Sequence, residues 1–485
     1  MRVGSSHGLL FGGLLVALAA VTLASCGADP AGSGDGGNGG GGTGSCLSLP
    51  PGTLAEVTAQ EPVVVRETTG MAMNTMEDGD SPLPGAPIGI LARGPCGKVG
   101  LLMRDPGDET VDAYAAYVDI TEAPAPAEAI SPELPPSLAL VSLFFDSDCA
   151  PFVVRADAQT GIQEYVRSND GTWNKGALAA LTAPGNGALG GLSAVSAWTE
   201  TDGTAALLYM ANAGGTPMLL LARRAAAAGS AWQTEWYPSP PAVEVKAARV
   251  DANGIVHALY TKTEFPCDPC DLGLYYGRLP VNGQWSEELM QKSQWGSPDD
   301  RFATEPSLAV TSTGEPMVAA GYQHRAITGS LGHSELRIYA RSSGKWCFET
   351  VVDEADGYQG SDGSDFTGAA PFLALDASDR PHVVFGDLSQ WHDANHYSNG
   401  VQGQLRYAVR TGSGWTVETL FAQKGQTESP KPLEGMVKPV LVVSGDGTEA
   451  SAVGIQRLWQ TDSIYNAEPV QVLFRSTLVR VQVTL

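Results

Sequence analysis

Residues 371–387, PFLALDASDRPHVVFGD, and residues 404–420, QLRYAVRTGSGWTVETL, decide the fold of this chain. Each holds two short runs of alternating or continuous apolar residues joined by a tight polar turn, DASD in the first and TGSG in the second. Period-two alternation puts one set of side chains on one face of a pleated strand, and a short polar turn between two such runs closes a hairpin. Two hairpins in succession make one four-stranded antiparallel sheet.

The arrangement recurs at 246–289, with the turns DANG and VNGQ, and at 306–351, with the turns TSTG and SSGK. Weaker copies lie at 137–181, 191–237 and 439–485, and a seventh unit at 61–120 offers VVVRET, IGILAR, VGLLMRD and VDAYAAYV as strands. Helix-period patterns of any length are absent. A sheet this small cannot cover both of its faces, so the repeats must pack on one another around an axis. The expected fold is all-β, a β-propeller of four-stranded antiparallel blades, seven by this count with six as the alternative.

Five tryptophans, Trp173, Trp232, Trp285, Trp346 and Trp415, fall just after the second tight turn of five copies. Such regular recurrence points to packing between blades. His257 and His382 share one second-strand position, where the third copy has Met317, and read as structural histidines with satisfied partners.

The pattern D-x-x-G-x-P-H-V-x-(Y/F), followed by L-x-Y-A-x-R-x-x-G-x-W, resembles the repeats of bacterial sialidase-like, BNR-type propellers. Ser168-Asn169-Asp170-Gly171-Thr172-Trp173 resembles a shortened Asp-box. The resemblance covers nearly all of the chain after residue 54 and implies a fold, since the Asp-box is a turn motif away from the chemistry in that family. A sialidase implies three arginines on the substrate carboxylate and a Tyr with a Glu partner; Arg66 and Arg301 fall in no such pattern.

At the N-terminus, Arg2 precedes the apolar stretch 9–23, which reads as a secretory signal. Leu23-Ala24-Ser25-Cys26 resembles the lipobox of bacterial lipoproteins, which implies that Cys26 receives the lipid and becomes the new N-terminus. Residues 27–45 are nearly all Gly, Ser and small polar residues, a composition that behaves as flexible coil. The expected organisation is a signal peptide over 1–25, lipidated Cys and linker over 26–53, and the propeller over 54–485. Gly27 after the lipid Cys resembles the pattern for the outer membrane, so the chain is expected in the cell envelope, held to a membrane through its lipid.

A formal net charge of −24 repels nucleic acid, which is excluded as a partner, and anionic lipid headgroups. Apart from Cys26 there are six cysteines, an even number that suggests disulfides in an exported chain. Cys267-Asp268-Pro269-Cys270 is expected to close a local disulfide, since no second C-x-x-C completes a zinc site and no strand-to-helix context makes it a redox motif. The pairing of Cys46, Cys96, Cys149 and Cys347 is open.

In a meander blade, the turns joining strands one to two and three to four share one face of the disc, and the two-to-three loops and inter-blade connections share the other. The first kind is short here and the second long, which points to the long-loop face as the functional surface. His324, His333, Trp391, His392, Asp393, His396 and Tyr397 are the candidate ligand-binding residues there. His392 and His396 have the spacing of a zinc-protease helix, but SQWHDANHYSNG lies between two strands and lacks helical periodicity. Asp356, Asp362 and Asp365 have the composition of a calcium loop without its spacing. No Ser-His-Asp set, phosphate-cradling Gly loop or nucleotide fingerprint stands out, so no residue is assigned a catalytic role.

The leading expectation is therefore a membrane-anchored propeller that binds a glycan, peptide or protein without catalysis. The alternative is a glycan-processing hydrolase or lyase, which needs two carboxylates, or a Tyr with a carboxylate, facing each other at the axis. Acidic and arginine side chains converging in a deep central pocket of the long-loop face would favour the second.

Overall fold

The computed structural model describes residues 47, 57–69, 90–105, 114–122, 125–131, 134, 140–186, 189–240, 245–262, 273–292, 306–324, 333–342, 344–355, 367–387, 404–412, 414–422, 433–465 and 468–484. Seven antiparallel sheets follow one another along the chain, as the repeat count requires. Blade 1 takes Leu91–Arg93, Val99–Asp105, Tyr114–Asp119 and Glu128–Ala129, and blade 2 takes Val141–Phe145, Pro151–Asp157, Gly161–Arg167 and Trp173–Ala179. Blade 3 is Leu189–Thr199, Ala205–Ala213, Thr216–Arg224 and Trp232–Pro238, and blade 4 is Val245–Val250, Val256–Lys262, Gly273–Leu279 and Ser286–Lys292. Blade 5 is Ser307–Val310, Pro316–His324, His333–Ser342 and Lys345–Ala355, and blade 6 is Thr367–Leu375, Pro381–Asp387, Gln404–Thr411 and Gly414–Ala422. Among the described residues the one helical element is a 3-10 turn at Pro184–Asn186.

Blade 7 corrects the sequence reading of the first unit. The C-terminal repeat supplies only Leu433–Val443, Glu449–Tyr465 and Glu468–Thr484, and its open edge is covered by Thr58–Ala59 and Val63–Thr69, both paired with Glu468–Thr484. VVVRET is thus the outer strand of the last blade and not the first strand of the first, whose fourth strand is Glu128–Ala129. An unpaired edge is a template for aggregation, and pairing the two ends of the chain removes it while closing the ring.

The core lies between neighbouring sheets. Leu208, Leu219 and Leu221 of blade 3 pack with Ala248, Val256 and Tyr260 of blade 4, all nearly inaccessible. Leu47, in the stretch read as linker, is buried with Ala340 of blade 5 and Val383 of blade 6.

Charged latches join blade to blade and explain the tryptophan repeat. Between blades 5 and 6, Arg410 Nε donates to Glu349 at 2.7 Å and the Trp415 indole donates to the same carboxylate at 3.2 Å. Between blades 1 and 2, Arg167 donates to Glu128 at 2.6 and 2.8 Å and Trp173 at 3.3 Å. Between blades 2 and 3, Arg224 lies 2.7 Å from Glu164 and Trp232 donates to it at 2.6 Å. Between blades 4 and 5, Arg341 donates to Glu288 at 3.0 Å, while Trp346 packs edge-on against Tyr276. Charge-assisted bonds shielded from water are strong; Arg224–Glu164 is fully buried and Arg410–Glu349 nearly so, and removing one partner of such a pair costs about 3–5 kcal/mol, whereas the more exposed Arg167–Glu128 and Arg341–Glu288 pairs contribute less.

The recurring histidines are structural, as read. His257 Nδ1 lies 2.7 Å from the Tyr276 hydroxyl and its Nε2 3.4 Å from Asp251, whose other oxygen accepts the amides of Asn253 and Ile255 at 2.8 Å each. Blade 6 repeats this with His382, Tyr407 and Asp376. Burial lowers the pKa of both imidazoles against the pull of the neighbouring aspartates, so both are held neutral.

Cys96 and Cys149, left without partners by the sequence, form a disulfide between the first hairpin turns of blades 1 and 2, with their Cα atoms 6.2 Å apart. Cys347 is also disulfide-bonded.

Candidate functional site

The first hairpin turns fix a common register for the seven blades. Gly94, Asp146, Glu200, Asp251, Thr311, Asp376 and Ser444 each donate their amide back across the turn, to Lys98, Ala150, Thr204, Ile255, Glu315, Arg380 and Glu449. Two residues before these donors stand Ala92, Phe144, Trp198, Arg249, Ala309, Ala374 and Val442, and all seven line one cavity of 1510 Å³. Asn253, Ser312 and Asp379 line it too, so it reaches the short-turn face. From the axis it continues outward between blades 3 and 4 past Glu200, Arg223, Glu235 and Tyr237.

The same register shows why these four residues differ from the latches. Glu128, Glu235, Glu288, Glu349 and Glu418 share one fourth-strand position, opposite Tyr117, Leu221, Tyr276, Ile338 and Tyr407. In blades 1, 4 and 5 the next blade's arginine holds that glutamate. Blade 4 has Leu279, paired with Val256, where blade 3 has Arg224, paired with Ala205. Leu279 is buried and carries no donor, so among the described residues Glu235 has no arginine across the interface; Trp285 donates instead to the Pro238 carbonyl at 3.0 Å.

Glu235 turns to its own blade. The Tyr237 hydroxyl donates to it at 2.5 Å, and Arg223 Nη1 lies 3.7 Å away while Arg223 Nε donates to Glu200 at 2.8 Å. Burial, then the hydrogen bond to Glu235 and its charge, push the Tyr237 phenol up to about 12, so it is a proton donor at neutral pH. A phenol bonded to an accessible carboxylate, with a guanidinium beside them, can give a proton to a leaving oxygen and take one up on the carboxylate.

Deeper in the cavity, Arg249 lies under no carboxylate. Its guanidinium carbon sits 5.6 Å from the centre of the Trp198 ring, and burial alone lowers its pKa to about 10. Arg249 is partly buried and lines the cavity.

His324 and His333 face each other as Cα partners where the second and third strands of blade 5 end. Trp391, His392, Asp393, His396, Tyr397, Asp356, Asp362, Asp365, Cys267, Cys270 and Cys26 lie outside the described residues. Among the described residues no group of three or more His, Cys, Asp or Glu could hold a metal ion. The cluster on blade 3 was missed because every one of its members sits in an otherwise ordinary repeat; the signal was the missing arginine in blade 4.

No family model matches the chain, and neither does any curated protein. Among solved structures it is similar to polysaccharide lyase Uly1, at 11% identity and a TM-score of 0.46 over 89% of this chain and 99% of that one. It is similar also to a PL25 ulvan lyase, at 9% identity and a TM-score of 0.41 over 84% and 95%. A third is an α-L-arabinanase of Penicillium chrysogenum, at 10% identity and a TM-score of 0.34 over 87% and 98%. At these identities the likeness is one of fold and transfers no residue roles. The expectation of a non-catalytic binding module is corrected by the cavity wall, which carries a Tyr–carboxylate pair, although on the outer strand of blade 3 and not facing across the axis, where the alternative expected it.

Proposed function

We propose that this chain is a glycan-processing hydrolase or lyase whose substrate enters the cavity and runs outward between blades 3 and 4. The observation that carries the reading is the release of Glu235 from the inter-blade latch and its hydrogen bond with Tyr237. Both reaction types need a proton donor at the leaving oxygen and a carboxylate or phenolate at the reacting carbon or proton, and this pair supplies both kinds of group. The cavity, at 1510 Å³, exceeds the roughly 300–1,000 Å³ of pockets for drug-sized ligands and suits a chain of several sugar rings. Trp198 offers a flat apolar face within it.

The test is a panel of neutral and acidic polysaccharides incubated with the protein and scored for new reducing ends and for the ultraviolet absorbance of an unsaturated uronate. A hydrolase gives the first alone and a lyase gives both. Cleavage of no member, or cleavage unchanged in Tyr237→Phe, overturns the reading. The lipobox-like LASC and the glycine-rich stretch after it support display of this enzyme from the cell envelope on lipidated Cys26. Cys26→Ser would then release the protein from membranes; continued membrane association through another segment would count against it.

A further inference from the structure

Among the described residues that line the cavity, one charged side chain has neither an ionic nor a hydrogen-bonding partner. The cavity's other charged side chains are engaged: Glu200 and Glu235 with Arg223 and Tyr237, Arg93 with Glu449, Asp379 with the backbone and hydroxyl of Ser312. Asp251 and Asp376 are held by turn amides and by His257 and His382, and Asp202 by the amide of Thr204. Arg249 makes no ion pair or hydrogen bond among the described residues, and its guanidinium lies over the Trp198 ring. No carboxylate is near enough to counter the effect of burial on its guanidinium. The six equivalent positions of the other blades are aliphatic or aromatic, so this cation breaks an otherwise uncharged ring.

Desolvating an arginine without a partner is unfavourable, and the guanidinium fork fits a carboxylate or sulfate in two parallel hydrogen bonds. We propose that Arg249 is an anion subsite that takes the carboxylate or sulfate of an acidic sugar, with Trp198 as the apolar wall of the same subsite. This deepens the enzyme reading and rests on it for the sugar, though not for the anion. The subsite lies on the axis and the Tyr237–Glu235 pair on the outer strand of blade 3, so Arg249 acts as a specificity residue and not on the reacting bond.

The experiment titrates the full chain with glucuronate, with glucose, which has a hydroxymethyl group in place of the carboxylate, and with inorganic sulfate, following tryptophan fluorescence and heat. Glucuronate is expected to bind at least about tenfold more tightly than glucose, a difference that shrinks with added salt and disappears in Arg249→Gln. Arg249→Lys should restore part of it. Binding of sulfate but no preference for glucuronate over glucose would mean a free-anion site and overturn the sugar assignment. Equal affinities in the wild type, no glucuronate binding, or a preference that survives Arg249→Gln overturns the proposal. Folding of the variant is checked by its melting temperature, which is expected to stay level or rise by about 1–2 °C, because an unanswered charge has been removed. The two readings fail separately. Cleavage of neutral glycans without anion preference sinks the subsite alone, and glucuronate preference without cleavage of any glycan sinks the enzyme alone. Tyr237→Phe should abolish cleavage and leave the glucuronate preference intact.

Discussion

Two interfaces of the ring carry a glutamate at the same repeat position and use it differently. Between blades 5 and 6, Glu349 is gripped by Arg410 and Trp415 from the next sheet, and the three form part of what holds the ring closed. Between blades 3 and 4, Leu279 stands in the arginine's place and Glu235 bonds to Tyr237 of its own strand. The side chains are the same type in the same register, and one substitution in the neighbouring sheet separates a structural carboxylate from an available one. A repeat protein can thus produce a site by omission, leaving a latch unmade where the cavity runs past it, as it does at Glu235 and not at Glu418.

The comparison breaks most sharply at Tyr237. Tyr237→Phe removes the phenolic proton while keeping the ring, and cleavage is expected to fall by about 10²–10⁴-fold, the usual worth of general acid–base catalysis, with an unchanged melting temperature. Cleavage rates on whichever polysaccharide the panel selects check this, and full activity in the variant removes the tyrosine from the mechanism. At the other interface Arg410→Ala leaves Glu349 without its charged partner, held by the neutral Trp415 indole. Denaturant unfolding should show a loss of about 3 kcal/mol with the cleavage rate per folded molecule unchanged.

Leu279→Arg sharpens the contrast by converting the second interface towards the first. An arginine there should recapture Glu235 and cut cleavage about tenfold, or about 1.4 kcal/mol, whereas Leu279→Met should leave activity as it is. Equal activity in both variants would show that Glu235 is not in competition between latch and tyrosine.

The smallest expected effect is on pH. The imidazoles of His257 and His382 have pKa values lowered by burial from the ordinary 6.5, so the folded chain takes up fewer protons than the unfolded chain as the medium turns acid. Their contribution to stability is full above pH 6.5 and declines as pH falls below it. His382→Met, which copies Met317 of blade 5, should flatten this part of the stability–pH curve; an unaltered slope would assign the acid sensitivity elsewhere.

The repeat, the blade count and the packing role of the tryptophans were legible because they depend on period-two alternation and on turns of fixed length. Closure of the ring was not, because VVVRET has the same pattern whichever edge it pairs with, and only the three-stranded C-terminal repeat decides between them. The candidate site was hidden by one residue. In LGLYYGRLPVNGQW the hairpin turn is longer than in LRYAVRTGSGW, so by sequence alone Arg278 stands for the motif's arginine. In the sheet it pairs with Ser286, one step before the latch position, and a one-step slip turns a strand residue to the opposite face. The histidine- and aspartate-rich segments that drew attention first, around His392 and Asp362, lie outside the described residues, while the described cavity is built from short turns and first strands.

The most direct measurement is a matched pair of isosteric substitutions, Glu235→Gln and Glu349→Gln, each assayed for cleavage and for thermal unfolding. The account predicts that Glu235→Gln loses about 100-fold or more in cleavage with its melting temperature within about 1 °C of the parent, while Glu349→Gln melts earlier and keeps its activity. Equal cleavage by Glu235→Gln and the parent, or a melting temperature that falls as far as in Glu349→Gln, would contradict it.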